Sequence, residues 1–361
     1  FNSHVAGTVN HDAWREAYTR AFKHYAQLLP GRQIASIFFG GGTPSLMETK
    51  TVESILQTIA QLWALDGSTE ITLEANPTSV EAQKFKEFRA AGVNRLSLGV
   101  QSLRADALKF LGREHSADQA KAAIELAAQN FPHFSFDLIY ARKDQTLTEW
   151  EKELREGLAL AGDHLSLYQL TIEPNTQFYT LANRGEKLTA PDEDAATMFE
   201  LTQDIMAADG KPAYEISNHA KPGEESRHNL TYWQYNDYIG IGPGAHGRYS
   251  VQGQRFATED HKAPDVWLGK VREHDHGLKI CDLISVDIAK REAFMMGLRL
   301  REGISHKNWL EKFGSPLSEF LRPEKIARLR SENYLTENTE SLQATNAGLQ
   351  RLNAVLGYLL N

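Results

Sequence analysis

The run Ile34-Ala35-Ser36-Ile37-Phe38-Phe39 empties into Gly40-Gly41-Gly42-Thr43-Pro44-Ser45-Leu46, and this junction restricts the fold more than any other stretch. A segment with almost no polar face predicts a parallel strand covered on both sides. The adjacent glycines permit backbone angles that other residues resist and let a ligand reach the bare main chain, while Pro44 stiffens the exit. A tight structural turn would use the same residues. The loop lacks the lysine of a P-loop and the spacing of a dinucleotide fingerprint, so neither device is present.

The text around the junction alternates helix and strand periods. His11 to Leu29 places Trp14, Tyr18, Phe22 and Tyr25 at helical spacing and stops at Pro30-Gly31, so these aromatics are expected in the core. A helix from Thr49 to Trp63 follows, then the strand Ile71–Leu73 closed by Glu74-Ala75-Asn76-Pro77. Ser79 with Glu81 and Gln83 signals a helix start, and Gly92 a stop just after Ala91. Leu96, Leu98 and Val100 alternate with Arg95, Ser97 and Gly99 to give a strand ending at Gln101. Helices over 118–129 and 147–160 then alternate with strands over 134–139 and 165–171.

Strands that alternate with helices predict an α/β fold whose parallel sheet rolls into an open or closed barrel through right-handed crossovers. Chemistry in such barrels sits at the C-terminal strand ends. Thr43, Glu74, Gln101, Asp137 and Thr171 close the successive expected strands, a pattern that packing alone does not require. From Glu173 to Lys279 the text is less regular, apart from a helix over 194–208 and a second glycine-rich segment, Gly240-Ile241-Gly242-Pro243-Gly244-Ala245-His246-Gly247. The expected division is 1–172 for the partial barrel, 173–284 for an extension, and 285–361 for a small, mainly helical, winged-helix-like domain.

Composition narrows the function class. With 39 Lys and Arg against 47 Asp and Glu, the net charge of −8 gives no electrostatic reason to bind nucleic acid. No apolar run approaches the roughly 18 residues of a membrane-spanning helix and no signal peptide is visible, so a cytoplasmic protein is expected. The single cysteine, Cys281, excludes an intramolecular disulfide.

Phe39-Gly40-Gly41-Gly42-Thr43-Pro44, Glu74-Ala75-Asn76-Pro77, Leu98-Gly99-Val100-Gln101-Ser102, Phe136-Asp137-Leu138-Ile139-Tyr140 and His228-Asn229-Leu230-Thr231-Tyr232-Trp233 occur in this order. Together they resemble the oxygen-independent coproporphyrinogen III oxidase-like family of radical S-adenosylmethionine (SAM) proteins, and within it the heme-chaperone branch. The resemblance implies SAM bound by Gly41, Gly42, Thr43, Glu74, Gln101, Arg113, Asp137, Thr171 and His246, with Arg113 facing the methionine carboxylate. It implies heme at His228, Tyr232 and Trp233, with His228 on the iron, and delivery of heme to membrane respiratory enzymes at the inner face of the membrane. The alternative it leaves open is a coproporphyrinogen III oxidase in porphyrin biosynthesis. A homodimer is allowed by these residues and required by none.

The family also holds a [4Fe–4S] cluster through three cysteines, which Cys281 alone cannot replace. Phe1-Asn2-Ser3-His4-Val5 resembles the text that follows the cluster motif, so the motif and the first barrel strand are expected upstream of this chain. After Tyr140 the family continues with a glycine-leucine-proline-glycine turn. Here Ala141-Arg142-Lys143-Asp144 stands instead, and a loop of different shape and charge is expected.

Overall fold

The computed structural model describes residues 9–361, so Phe1 to Val5 lie outside the described residues. Its main sheet runs in the order β1 (Ser36–Phe39), β2 (Glu70–Ala75), β3 (Arg95–Gln101), β4 (His133–Tyr140), β5 (His164–Gln169) and β6 (Asn218–Ala220). The first five strands are parallel and β6 is antiparallel to β5. Among the described residues the sheet is open: β1 and β6 are its outermost strands, and they do not pair with each other.

Alternation along these strands separates two chemistries. Leu73, Leu96, Leu98, Phe136, Leu138, Leu165 and Leu167 are buried, in one core with Phe85, Phe88 and Ile124 from the crossover helices. The other set of side chains is polar apart from Phe38, and the register carries it from strand to strand. Phe38 pairs with Thr72, Glu74 with Ser97, Ser97 with Ser135, and Asp137 with Ser166. Since side chains two apart share a face, Phe38, Thr72, Glu74, Ser97, Ser135 and Asp137 all line one side.

Several expectations shift. The strand before the glycines covers only Ser36–Phe39, and within it only Phe39 is buried, so it is not covered on both sides along its length. The expected helix over 79–91 is two short ones, Ser79–Ala82 and Phe85–Ala90, and its first cap is Thr78, whose hydroxyl accepts from Glu81 N. β5 ends at Gln169, two residues before Thr171.

The segment expected to be irregular contains an antiparallel meander, β7 (His246–Val251), β8 (Gln254–Asp260) and β9 (Leu278–Ile284). Gly240 is required here, since a Cβ on it would fall 2.1 Å from the His246 carbonyl oxygen. The C-terminal part is helical with a small antiparallel sheet of β10 (Ile304–Ser305), β11 (Leu335–Glu337) and β12 (Ser341–Ala344), in the order β10-β12-β11. A separate apolar cluster including Phe294, Trp309, Leu342 and Leu356 forms its core, and Phe199 and Tyr235 join it.

Candidate functional site on the polar face of the sheet

The glycine loop and the β2 carboxylate are joined directly. Gly41 adopts φ +117°, and its N–H donates to Glu74 Oε2 at 3.2 Å. Glu74 forms no salt bridge among the described residues. Burial raises its pKa, the Gly41 bond lowers it in part, and the neighbouring Asp137 charge raises it further. The two carboxylates therefore sense each other across β3, as their shared face requires.

β3 ends in a strained turn. Gln101 stands at φ +68°, and Ser102 N–H closes back on Val100 C=O at 2.8 Å, which makes a γ-turn centred on Gln101. A non-glycine residue in that conformation is held there by its surroundings. The holders are Asp137, which accepts from Gln101 N at 3.2 Å and from Gln101 Nε2 at 2.6 Å, and Glu153. Glu153 is buried and accepts from Leu103 N at 2.8 Å and from the Ser102 hydroxyl at 2.5 Å. Burial pushes the Asp137 carboxyl up to about 6 against the opposing pull of the Gln101 bonds and the Arg113 charge.

Gly99 makes room for the convergence of polar groups. A Cβ at Gly99 would lie 3.4 Å from Arg113 Nη2, 3.6 Å from Asn76 Oδ1 and 3.7 Å from Gln101 Nε2. Arg113 is half-buried and forms no salt bridge among the described residues, with Glu114 or any other acid. An unpaired guanidinium beside two amide groups and two half-buried carboxylates suits a zwitterionic ligand that also carries hydroxyl groups. The residues present thus fit SAM: Gly41 and Gly42 leave their backbone exposed, Glu74 and Asp137 face one space, and Arg113 is free to meet a carboxylate.

Three further expected residues form no hydrogen bond to Glu74, Gln101, Arg113 or Asp137. Thr171 is exposed beyond the end of β5 with its hydroxyl on Glu173 Oε1 at 3.3 Å, because the strand stops early. His246 is exposed at the start of β7, and Thr43 turns its hydroxyl to the Gly42 carbonyl at 2.8 Å. Asp137 lies inside β4 rather than at its end.

Two buried acids hold the loops in place: Glu81, which the sequence offers only as part of a helix start, and Glu153, which lies in no motif. Glu81 accepts from Asn76 N at 2.7 Å and from the Ser45 hydroxyl, locking the β1 loop to the β2 loop. Glu153 also accepts from Arg142 Nη2 at 2.8 Å, so the turn after β4 is tied to the turn after β3. Ala141 at φ +56° and Asp144 at φ +59° keep the left-handed backbone that glycines would favour at those positions. The turn after β4 thus carries Arg142, Lys143 and Asp144, with two of its non-glycine residues held in the left-handed region.

The His228 motif forms a short helix, Arg227–Trp233, capped by the Ser226 hydroxyl. Its first amides meet the sheet: Glu70, itself paired to Arg95 at 3.3 Å, accepts from Arg227 N at 3.2 Å and His228 N at 3.1 Å. The imidazole stacks on Phe38 with ring centroids 3.8 Å apart and planes at 10°, and Tyr232 meets it edge-on at 4.7 Å. His228 thus stands on the same polar face as Glu74. Trp233 points round the helix toward Arg299, 5.8 Å from its ring, with a buried Nε1 that has no partner. The structure joins His228 with Tyr232 and leaves Trp233 apart.

Burial lowers the His228 pKa to about 4, so the ring is neutral at pH 7. Neither ring nitrogen bonds another described residue. A neutral imidazole whose one in-plane lone pair is uncommitted fits an axial heme ligand. The cluster is different: among the described residues no group of three or more His, Cys, Asp or Glu is placed to hold a metal ion, and the chain has one cysteine. These residues do not fit a [4Fe–4S] cluster. A groove of about 750 Å³ on the outer surface, lined by charged side chains such as Arg15, Glu16, Lys23 and Lys50, takes no part in the site.

Residues 4–156 match the Radical SAM superfamily and residues 287–351 match the HemN C-terminal domain. The class is therefore that of the radical SAM proteins. The chain is 37% identical to the heme chaperone HemW of Escherichia coli K12 over 100% of its own length and 93% of that protein's. It is 36% identical to radical S-adenosyl methionine domain-containing protein 1, mitochondrial, of Danio rerio, over 100% of this chain and 83% of the relative. On this similarity the chain belongs to the HemW-like family of radical SAM proteins. The solved structure of coproporphyrinogen III oxidase (HemN) from Escherichia coli superposes with a TM-score of 0.78 at 19% identity, covering 96% of this chain and 82% of that one. At that identity the likeness is one of fold.

Proposed function

We propose that this chain is a cytoplasmic heme carrier that holds heme through His228, holds SAM across Glu74, Gln101, Arg113 and Asp137, and delivers heme to membrane respiratory enzymes. The observation that supports it most is the state of His228: neutral, fixed in plane by Phe38, and with no hydrogen-bond partner for either ring nitrogen among the described residues. Heme, when bound, supplies an iron that accepts such a lone pair.

The chain's residues do the rest. Phe38 and Tyr232 orient the imidazole, and Glu70 anchors the helix that carries it. On the SAM side, Arg113 meets a carboxylate, Glu74 and Asp137 accept from amino or hydroxyl groups, and the Gly41 and Gly42 backbone lies open beside them. Relatives named as heme chaperones, at 32% to 38% identity, favour this reading over the oxidase. The test is a heme titration followed by the Soret band. His228→Ala should weaken binding markedly, and an unchanged band in that variant would place the ligand elsewhere.

A further inference from the structure

The SAM loop and the heme motif touch the same side chain. Phe38 presents its ring face to His228 at 3.8 Å. Its ring edge lies against Gly40, the first residue of the glycine loop: a Cβ there would stand 2.6 Å from Phe38 Cε1, 2.9 Å from Phe38 Cδ1 and 3.4 Å from Glu74 Oε2. Real Cβ atoms do not sit that close, so Gly40 is the size it is because the ring occupies that space. Gly40 has none of the left-handed backbone of Gly41. The contact alone therefore demands glycine.

The geometry points to Phe38 as a positioning residue shared by both sites, so that the state of the glycine loop sets the heme affinity of His228. The argument rests on the proposed heme role of His228. An axial ligand coordinates through a lone pair in the plane of its ring, so the stacked phenyl leaves the nitrogens accessible while dictating the plane in which they point. Any displacement of the loop backbone at Gly40 moves the phenyl edge, and a displaced phenyl turns the imidazole. Coupling between ligands is reciprocal, so occupancy beside Glu74 and occupancy at His228 must alter each other's affinity by the same factor.

A double-mutant cycle on the present chain tests this without requiring SAM to bind. Heme is titrated into the wild type, Gly40→Ala, Phe38→Ala and the double variant, reading Soret position and dissociation constant, with Gly269→Ala on an open helix surface as control. Gly40→Ala should shift the band and weaken binding at least about twofold, the lower end of coupling between touching residues. In the Phe38→Ala background the same substitution should have no further effect, because the added methyl meets no ring. Full additivity, or a wild-type titration in Gly40→Ala, overturns the proposal. Should far-UV circular dichroism show that Gly40→Ala is unfolded, Phe38→Leu decides, since a shifted band there supports the positioning role and an unshifted one refutes it. His228→Ala keeps the two claims apart: if it leaves the titration unchanged, the heme reading fails by itself.

Discussion

Asp137→Asn should stabilise the ligand-free chain at alkaline pH. Burial raises this carboxyl from 3.8 to about 6, and each pKa unit corresponds to about 1.4 kcal/mol, so ionising it in the folded state costs at most roughly 3 kcal/mol. The residue is half-buried on an open face, and solvent screening brings the cost to about 2 kcal/mol. Asparagine still accepts from Gln101 N but loses the charge-assisted bond to Gln101 Nε2, worth about 1 kcal/mol. The net gain is about 1 kcal/mol at pH 8.

The sign of the pH dependence follows from the raised pKa. Above pH 6 the folded and unfolded carboxyls are both ionised and the cost is fully present. Between pH 6 and 3.8 the folded state takes the proton first, so the wild type recovers stability as pH falls. Urea unfolding at pH 8, 6 and 4 should show the advantage of the variant shrinking to nothing. A variant that is less stable at pH 8 by an amount that does not change with pH would show that Arg113 and Gln101 already compensate the charge, and the reasoning would be wrong.

Other outcomes follow from the same contacts. Arg142→Met strands the Glu153 carboxylate, 1% exposed, and should cost about 3–5 kcal/mol in urea unfolding, against less than 1 if water reaches that acid. Ala141→Gly relieves a left-handed alanine and should raise stability by up to about 1 kcal/mol, whereas a loss would mean the turn is not strained. Heme affinity should stay flat from pH 8 to about 5 and fall as His228 protonates near 4, and a midpoint near 6.5 would indicate a solvated histidine instead. Iron and sulfide added to the present chain should yield no [4Fe–4S] absorption, since Cys281 supplies one thiolate only.

The sheet was legible because its order follows from βα alternation, and the Glu74, Gln101 and Asp137 constellation because parallel register keeps residues two apart on one face. Apolar text before the glycines does not reveal which side chains find a covering layer, and in β1 only Phe39 does. The end of β5 falls at Gln169 rather than Thr171, since strand ends depend on where the partner stops. The Glu81–Ser45 and Glu153–Ser102 contacts join residues 36 and 51 positions apart, so only the folded chain brings them together. The meander of β7 to β9 was masked by its glycines, which are there because His246 and Thr258 press on Gly240 and Gly247. The adjacency of Phe38 and His228 has no periodic signature at all.

The anchoring of the motif helix has a consequence for how ligand entry can be timed. First-turn amides of a helix face water and exchange their protons quickly. Those of Arg227 and His228 instead donate to the buried Glu70, while at the far end Lys312 Nζ reaches the carbonyls of Gln234 and Tyr235, both at 2.7 Å. Deuterium should therefore enter the His228 amide only when the whole helix lifts from the sheet. A guest that slides in beside the imidazole leaves that clock unchanged, and one that must pry the helix loose makes it run faster.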